Sequence, residues 1–513
     1  MSPERGLVRE TDHSNKNWYT FTIPGVTQTF DRRLIFVINM IPLALALLQI
    51  SSVNVAMPAI SNSLGAQSID IQWVLSGYAL AFGILLVPSG RLGDIIGRSS
   101  VFTIGLAVFG IASGVCALAP SPILLNIARV FQGIGAGMQG PQTVGMIQQY
   151  FQGKGRARAY SLQGLVIAAS VAIGPFATGL MINILGSDLG WRIPFALNLP
   201  LALIGCALAL RWLPFQMERE RKRQKQQRIR RHLDLDPFGA LLITGAVVAV
   251  MLPFMLTELP TWRFSILLAA VVLVACWLAW ERHYANRGNA PMVDLQLFKL
   301  RAFSFQTVIS TVNFLGTTSI HVVTAMFLQY GLHWDALHAA LTGTANAVLS
   351  SISALWAGRH VLRLKQNLVV AALAVFNLGI WASFGVIWLA ANYDISPWWL
   401  AVTSGIAGLG WGGFGASNQT LAMMEVPVSM AGTAGGIKSM SERVATAIGN
   451  AVITGVLFSA LAYTDWYGAT LAANAVISSI AMLALLLAIF DVISSKRNTV
   501  KQAHCDAAQC RLP

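Results

Sequence analysis

Fourteen apolar stretches follow one another along this chain, and no feature restricts its fold more. They run 34–57, 71–89, 100–119, 122–144, 160–184, 194–213, 237–256, 264–280, 303–329, 336–358, 366–390, 396–424, 431–460 and 470–491. Each has roughly 17–30 residues, enough for a helix to cross about 30 Å of hydrocarbon with some tilt. A backbone in lipid must satisfy its own polar groups, which long unbroken runs do as helices. The sequence therefore predicts an all-α polytopic membrane protein with 14 transmembrane helices. Composition agrees: 55% of the residues are hydrophobic and only 11% are Asp, Glu, Lys or Arg, under half the usual charged share of a soluble domain.

The formal charge of +14 suits nucleic-acid binding only if it forms a basic face on a soluble domain. Here the basic residues sit between the apolar runs. They occur at Arg91 and Arg98, in GKGRAR (153–158), in ERERKRQKQQRIRRH (218–232), across 281–301, in GRHVLRLKQN (358–367) and in SSKRNTVK (494–501). The alternate connections, SNSLGAQSID, APSP, ANYDISP and AYTDWYG, carry no Lys or Arg; Arg192 and Arg263 are the exceptions, each at a run's edge. The positive-inside rule then places both termini in the cytosol, with the chain in the plasma (inner) membrane. Residues 1–33 lack the short apolar core of a cleavable signal, so the first run is expected to remain as a helix.

This pattern divides the chain into a cytosolic segment (1–33), a six-helix bundle (34–213), a basic linker (214–236), two additional spans (237–280), a cytosolic loop (281–302), a second six-helix bundle (303–491) and a tail (492–513). The stretch 218–232 reads as a tether that fixes topology, or as a helix lying on anionic lipid heads. Of five cysteines, Cys116, Cys206 and Cys276 lie in apolar runs and Cys505 and Cys510 in the tail. Their spacing fits neither a metal site nor an expected disulfide.

Three short patterns stand out. GRLGDIIGR (Gly90–Arg98) follows the second run, RVFQGIGAG begins at Arg129 in the fourth, and SVAIGPFATG (Ser170–Gly179) lies in the fifth. The first matches Gly-x-Leu-x-Asp-x-x-Gly-Arg, a mark of the major facilitator superfamily. The second is similar to that superfamily's Arg-x-x-Gln-Gly motif, and the third resembles the Gly-Pro signature of its antiporters. With SSVNVAMPAI in the first run and fourteen spans, the chain resembles the fourteen-helix drug:proton antiporter (DHA2-like) family over nearly its whole length. The resemblance implies two bundles around a central site, cavity-lining first, fourth, ninth and twelfth helices, and export of small molecules by alternating access.

Physical chemistry gives each motif a role of its own. In Gly90–Arg98 the glycines Gly90 and Gly97 permit a tight reversal. Asp94 stands among positive charges and can pair with Arg91, Arg98 or a basic end of another helix, either as a static loop or as a latch that favours one conformation; the resemblance implies a conformational-switch loop. Arg129 is the one charged residue between Ser99 and Gln152. At a helix centre it costs at least ~2.5 kcal/mol unless it snorkels or finds a partner, so it faces the bundle interior or reaches toward the interface. Gln132 shares its face. Ser170, Gly174 and Gly179 are close-packing positions, and Pro175 interrupts the regular backbone bonding beside them.

The first run departs from the family pattern: Gln49 stands where fourteen-helix antiporters carry an aspartate, and glutamine releases no proton. The thirteenth run holds Lys438, Glu442 and Arg443, with Lys438 and Glu442 four apart on one face. Glu442 either loads and releases a proton or serves as a counter-ion, according to whether desolvation or its cationic neighbours dominate. His321, within the ninth run, is either a core residue or a proton relay. His333 and His338 flank Asp335 without convergent metal spacing, and no HExxH or paired CxxC occurs. The Gly-rich stretch 408–419 lacks the Lys-Ser/Thr ending of a phosphate loop. Neither enzyme chemistry nor a cofactor is expected.

The sequence thus reads as a secondary active exporter of hydrophobic or amphiphilic small molecules, by proton-coupled antiport, working as a monomer among membrane lipids. The intramembrane charges Arg129, Lys438, Glu442 and Arg443 sum to a positive value, which favours neutral, zwitterionic or anionic amphiphiles, lipids included. The alternatives are a proton-independent or differently coupled transporter of a lipid or anionic metabolite, and a non-transporting sensor or scaffold.

Overall fold

A computed structural model describes residues 20–22, 29–215, 236–255, 264–334, 336–393 and 395–509. The basic stretch 218–232, Arg263, Asp335 and Cys510 lie outside the described residues, as does most of the segment before residue 29. Fourteen α-helices correspond one to one with the apolar runs: α1 (Arg32–Leu64), α2 (Ser68–Ile96), α3 (Arg98–Leu118), α4 (Pro122–Tyr150), α5 (Gly153–Gly190), α6 (Arg192–Trp212), α7 (Pro237–Met255), α8 (Ile266–Asn286), α9 (Arg301–Met326), α10 (Ala336–Leu364), α11 (Gln366–Tyr393), α12 (Trp399–Ala422), α13 (Ala431–Leu461) and α14 (Trp466–Gln509). Eleven of them are long and apolar enough to cross a membrane; α4, α10 and α12 have the length but not the hydropathy.

Local signals set the helix ends. Asp31 accepts the Arg33 N–H and caps α1, Gln67 and Asp70 form a capping box on α2, and Ser121 caps α4 just before Pro122. Several helices outrun their apolar stretch because nothing in the flanking polar sequence stops them. Thus α14 continues to Gln509, where the sequence led us to expect a tail from 492. Conversely, α5 is broken at Gly186 (φ 79°).

The segment before α1 holds a second departure. Residues 20–22 (β1) and 29–31 (β2) pair antiparallel, with Phe21 opposite Phe30. Both rings are buried, and Phe21 stacks on Tyr150 at the end of α4 (5.6 Å). The alternation Thr-Phe-Thr and Thr-Phe-Asp turns one apolar ring per strand inward.

The chain forms two compact units. Unit 1 comprises residues 1–159, 169–299 and 426–447, and unit 2 comprises 160–168, 300–425 and 448–513. These units cut across the boundaries read from the sequence at α5 and α13, each of which contributes residues to both. Unit 1 packs Ile35, Leu45, Phe102, Leu106 and Phe109 in one core cluster and Val53, Ile60, Trp191 and Phe195 in another. Unit 2 packs Val323, Phe376, Ile380, Leu457 and Ile477. On α3, Ile104, Ile111 and Leu118 are spaced by seven and exposed; so apolar an outer face suits lipid.

Candidate functional site

GRLGDIIGR proves to be helix more than loop. Gly90–Asp94 lie in the last turns of α2, Arg98 opens α3, and Gly97 between them adopts φ 119°, which side-chain-bearing residues rarely reach. Asp94 pairs with Arg98 rather than Arg91: its Oδ1 accepts from Arg98 Nη2 (2.6 Å) and Nε (3.1 Å). The same carboxylate accepts the backbone N–H groups of Gly432 (3.2 Å) and Thr433 (2.9 Å) and the Thr433 hydroxyl (3.0 Å). Those amides belong to the first turn of α13, whose N–H groups have no acceptor within the helix. Asp94 therefore caps α13 from α2 and sets a negative charge at its positive dipole end. A Cβ at Gly432 would stand 2.8 Å from both Asp94 Oδ1 and Gly90 O, so only glycine allows this approach.

Arg98, almost fully buried, extends the clamp. It donates to Gly145 O and Gln149 Oε1 of α4 (2.8 Å each) and to Val428 O just ahead of α13. Gln148 donates to Val426 O (3.0 Å). Arg91 instead reaches Ala290 O beyond α8 (3.3 Å). One nine-residue segment thus ties α2, α3, α4 and the start of α13 together within unit 1.

Arg129 lies in the unit 1 interior, 1% exposed. Its Nε donates to Val74 O (2.8 Å) and its Nη1 to Gln132 Oε1 (2.6 Å), while Gln132 Nε2 donates to Ser113 Oγ (2.6 Å). The guanidinium lies over the Tyr78 ring (4.3 Å) and near Phe195 (5.9 Å). Two carbonyl-type oxygens and two aromatic faces hold the charge, and among the described residues no carboxylate pairs with it. Cation–π contacts of this kind contribute roughly 0.5–2 kcal/mol each when desolvated.

The Tyr78 ring stacks on Phe82 one turn along α2 (6.1 Å, 8° between planes), and Arg443 of α13 lies over Phe82 (5.1 Å). Two guanidiniums therefore end a two-ring stack, one from α4 and one from α13. Beside it Lys438 donates to Glu442 as an i,i+4 ion pair, with side chains 6% and 16% exposed. The sequence spacing permits that pair; the stack joining Arg129 to Arg443 is visible only in three dimensions.

Gln49 is buried on α1 and its Oε1 accepts from Asn198 Nδ2 of α6 (2.6 Å); among the described residues its Nε2 meets no acceptor. Asn198 stands one turn from Phe195, so this amide pair adjoins the Arg129 cluster. On α5, Ser170 is buried and Gly174 runs against α1, where a Cβ would lie 2.9 Å from Leu48 O; Ser52 Oγ donates to Gly174 O (3.2 Å). Gly179 is looser, its nearest neighbour being Val55 at 4.0 Å, and Pro175 is half-buried. His321, on α9, is exposed and makes no hydrogen bond among the described residues.

Sequence reasoning missed Asn198, Tyr78, Phe82 and Thr433. The i,i+4 spacing of Tyr78 and Phe82 was a legible cue to a shared face, as was Asn198, a lone amide in the sixth run. Among the described residues no group of three His, Cys, Asp or Glu side chains could hold a metal ion.

Comparison with known proteins bears on the family of the chain. The family profile described as Major Facilitator Superfamily matches residues 40–255. The chain is 31% identical over 412 residues to the probable actinorhodin transporter of Streptomyces coelicolor, covering 80% of this chain and 69% of that protein. It belongs to the major facilitator superfamily. As a member it is a multi-pass membrane transporter and not an enzyme. It is also 28% identical to the multidrug resistance protein Stp of Mycobacterium tuberculosis, over 82% of this chain and 73% of that one. A proton:xylose symporter of the superfamily shares the fold, with a TM-score of 0.63 at 14% identity over 88% of this chain and 94% of its own.

Proposed function

We propose that this chain exports small amphiphilic molecules by alternating access, in the manner of the fourteen-helix drug:proton antiporters, with both termini cytosolic. The observation that carries the reading is the Asp94 carboxylate on the first turn of α13. It is a small set of polar contacts, made through bare backbone, that a modest shift of α13 along α2 breaks together. Such a contact biases one conformation over another. The relatives named as a probable actinorhodin transporter and as a multidrug resistance protein support an efflux role.

The buried charge argues about the cargo. Among the described residues no carboxylate pairs with Arg129 or Arg443 at the ends of the aromatic stack, and Gln49 stands where the family carries an acid on the first helix. Cationic amphiphiles are disfavoured near such a cluster in low dielectric, so neutral, zwitterionic or anionic amphiphiles are the favoured cargo. With Gln49 unable to release a proton, we assign proton coupling to Glu442, the carboxylate of the same helix as Arg443 and the partner of Lys438. A second reading follows from Gln49 as well: a transporter coupled otherwise, or moving a lipid or anionic metabolite without protons.

The deciding experiment uses the purified chain in proteoliposomes with two fluorescent amphiphiles, anionic 8-anilino-1-naphthalenesulfonate and cationic ethidium. Uptake of the anion that rises with an imposed pH gradient and collapses with a protonophore supports antiport. Uptake indifferent to the gradient refutes proton coupling and leaves the second reading. No uptake above protein-free vesicles refutes both.

A further inference from the structure

The two additional helices carry an arrangement that neither the switch segment nor the arginine cluster uses. α7 packs on α2, where a Cβ at Gly83 would stand 3.4 Å from Met251 Sδ, and α8 packs on α7. Of α8 only Ala270, Trp277 and Glu281 are buried. A helix with so narrow a buried stripe thus gives one place in it to a carboxylate, which is costly unless bonded. Glu281 is fully buried and lies just past the apolar run 264–280.

Glu281 and a second buried carboxylate hold the chain that follows α8. Asp236 heads α7: its Oδ1 accepts the Gly239 N–H (2.9 Å) and the Trp280 indole N–H (2.8 Å), and its Oδ2 accepts the Met292 N–H (3.3 Å). Glu281 Oε1 accepts the Val293 N–H (3.3 Å). Its Oε2 makes no hydrogen bond among the described residues, with the Trp277 indole, one turn back, beside it. Met292 and Val293 are buried, whereas Ala290 is exposed. Residues 290–293 therefore form a strap, pinned at one end by two carboxylates and offering the Ala290 carbonyl at the other.

Arg91 takes that carbonyl. Its Nη2 donates to Ala290 O (3.3 Å), its Nε meets no acceptor among the described residues, and its charge lies near enough to attract the Glu281 carboxylate. On α2 it stands three residues before Asp94, a spacing at which helical side chains meet. Both oxygens of Asp94 are already occupied by Arg98 and by the start of α13. Arg98 is fixed by three further acceptors, so Arg91 enters only by displacing the Gly432 or Thr433 N–H. One long bond to the strap holds it away.

We propose that the 290–293 strap, pinned by Asp236 and Glu281, keeps Arg91 off Asp94 and so sets how readily the α13 clamp opens, which gives the two additional helices a part in the switch. Asp236 and Glu281 are positioning residues: they touch the strap, and act on Asp94 through Arg91. The strap rests on the alternating-access reading for its purpose but not for its test.

The test is hydrogen–deuterium exchange of the full-length protein in nanodiscs, at equilibrium and without a gradient. Asp236→Asn keeps the acceptor for Gly239 and Trp280 and turns an NH2 group toward Met292; Glu281→Met keeps length and removes the acceptor of Val293. Each is expected to speed exchange at its strap amide about 3- to 10-fold, and at Thr433 by at least about threefold as Arg91 competes for Asp94. Adding Arg91→Gln is expected to return Thr433 to within about twofold of wild type while the strap amide stays fast, a coupling that general loosening does not produce. Arg91→Gln alone leaves Thr433 protected. Asp294→Asn is the control: its Oδ1 accepts only the Gln296 N–H (2.9 Å), and Thr433 stays within about twofold. A fast strap amide with Thr433 unchanged overturns the proposal, as does fast exchange at Thr433 that Arg91→Gln fails to reverse, or that Arg91→Gln causes by itself. The stated pattern in a protein that moves no probe across vesicles upholds the strap and refutes the transport reading instead.

Discussion

Substituting Asp94 by Asn removes one acceptor and one charge while keeping shape. In the native protein the carboxylate serves five donors: two from Arg98, the Gly432 and Thr433 amides, and the Thr433 hydroxyl. The amide oxygen of Asn in the Oδ1 place keeps Arg98 and the Gly432 N–H, while its NH2 group takes the Oδ2 place and faces the Thr433 amide and hydroxyl donors. Arg98 keeps Gly145 O, Gln149 Oε1 and Val428 O, so the loss falls mainly on α13. A hydrogen bond to a charged group is worth about 1.5–3 kcal/mol, and the favourable charge at a helix N-terminus about 0.3–1 kcal/mol. Allowing for the bond that Asn retains, the first turn of α13 loses about 2–3 kcal/mol, a factor of about 30 to 150. Hydrogen–deuterium exchange reads this directly: the amide of Thr433 is expected to exchange faster by that factor and that of Gly432 by less, with the middle of α13 unchanged. Protection within threefold of wild type at both amides, in a folded variant, would refute the capping argument.

Other perturbations separate the remaining contacts. Gly432→Ala places a Cβ 2.8 Å from Asp94 Oδ1 and Gly90 O, so it is expected to reproduce the fast exchange at Thr433 with Asp94 intact; native protection there would show that the approach tolerates a side chain. Glu442→Gln breaks the Lys438 pair and removes the group assigned to proton exchange, so anionic probe uptake should lose its dependence on the pH gradient while equal-pH counterflow persists; a preserved dependence places coupling elsewhere. Phe21→Ala removes a buried ring that stacks on Tyr150, and limited proteolysis near residues 20–31 should quicken at least tenfold with the Tm shifted by only a few degrees; an unchanged cleavage rate would mean the hairpin does not depend on that ring.

What the sequence revealed depended on range. The fourteen helices were legible because each apolar run is itself one structural element, and the turn signals between them are local. Lys438 and Glu442 were legible for the same reason, being four apart on one helix. Asp94 was marked as important, but its partners lie 338 and 339 positions away, and no spacing rule links α2 to the first turn of α13. Its favoured basic partner is Arg98, one turn on, because α2 runs almost unbroken to Gly97 and leaves Arg91 to point toward Ala290. The isolation of Arg129 among apolar residues was visible, whereas the face it presents to Tyr78 and Phe195 depends on how three helices pack. The β1–β2 pair escaped notice because three-residue strands in a polar segment carry too short an alternation to register.

Transport by this account runs through Arg129, whose charge sits inside unit 1 on aromatic faces and neutral oxygens. Its most direct test is counterflow of 8-anilino-1-naphthalenesulfonate at equal pH by Arg129→Ala, against wild type at matched protein density in the same vesicles. The account predicts a loss of at least a hundredfold in rate from a protein that inserts, stays monodisperse and keeps its Tm within a few degrees. A variant that exchanges the probe as fast as wild type would contradict it.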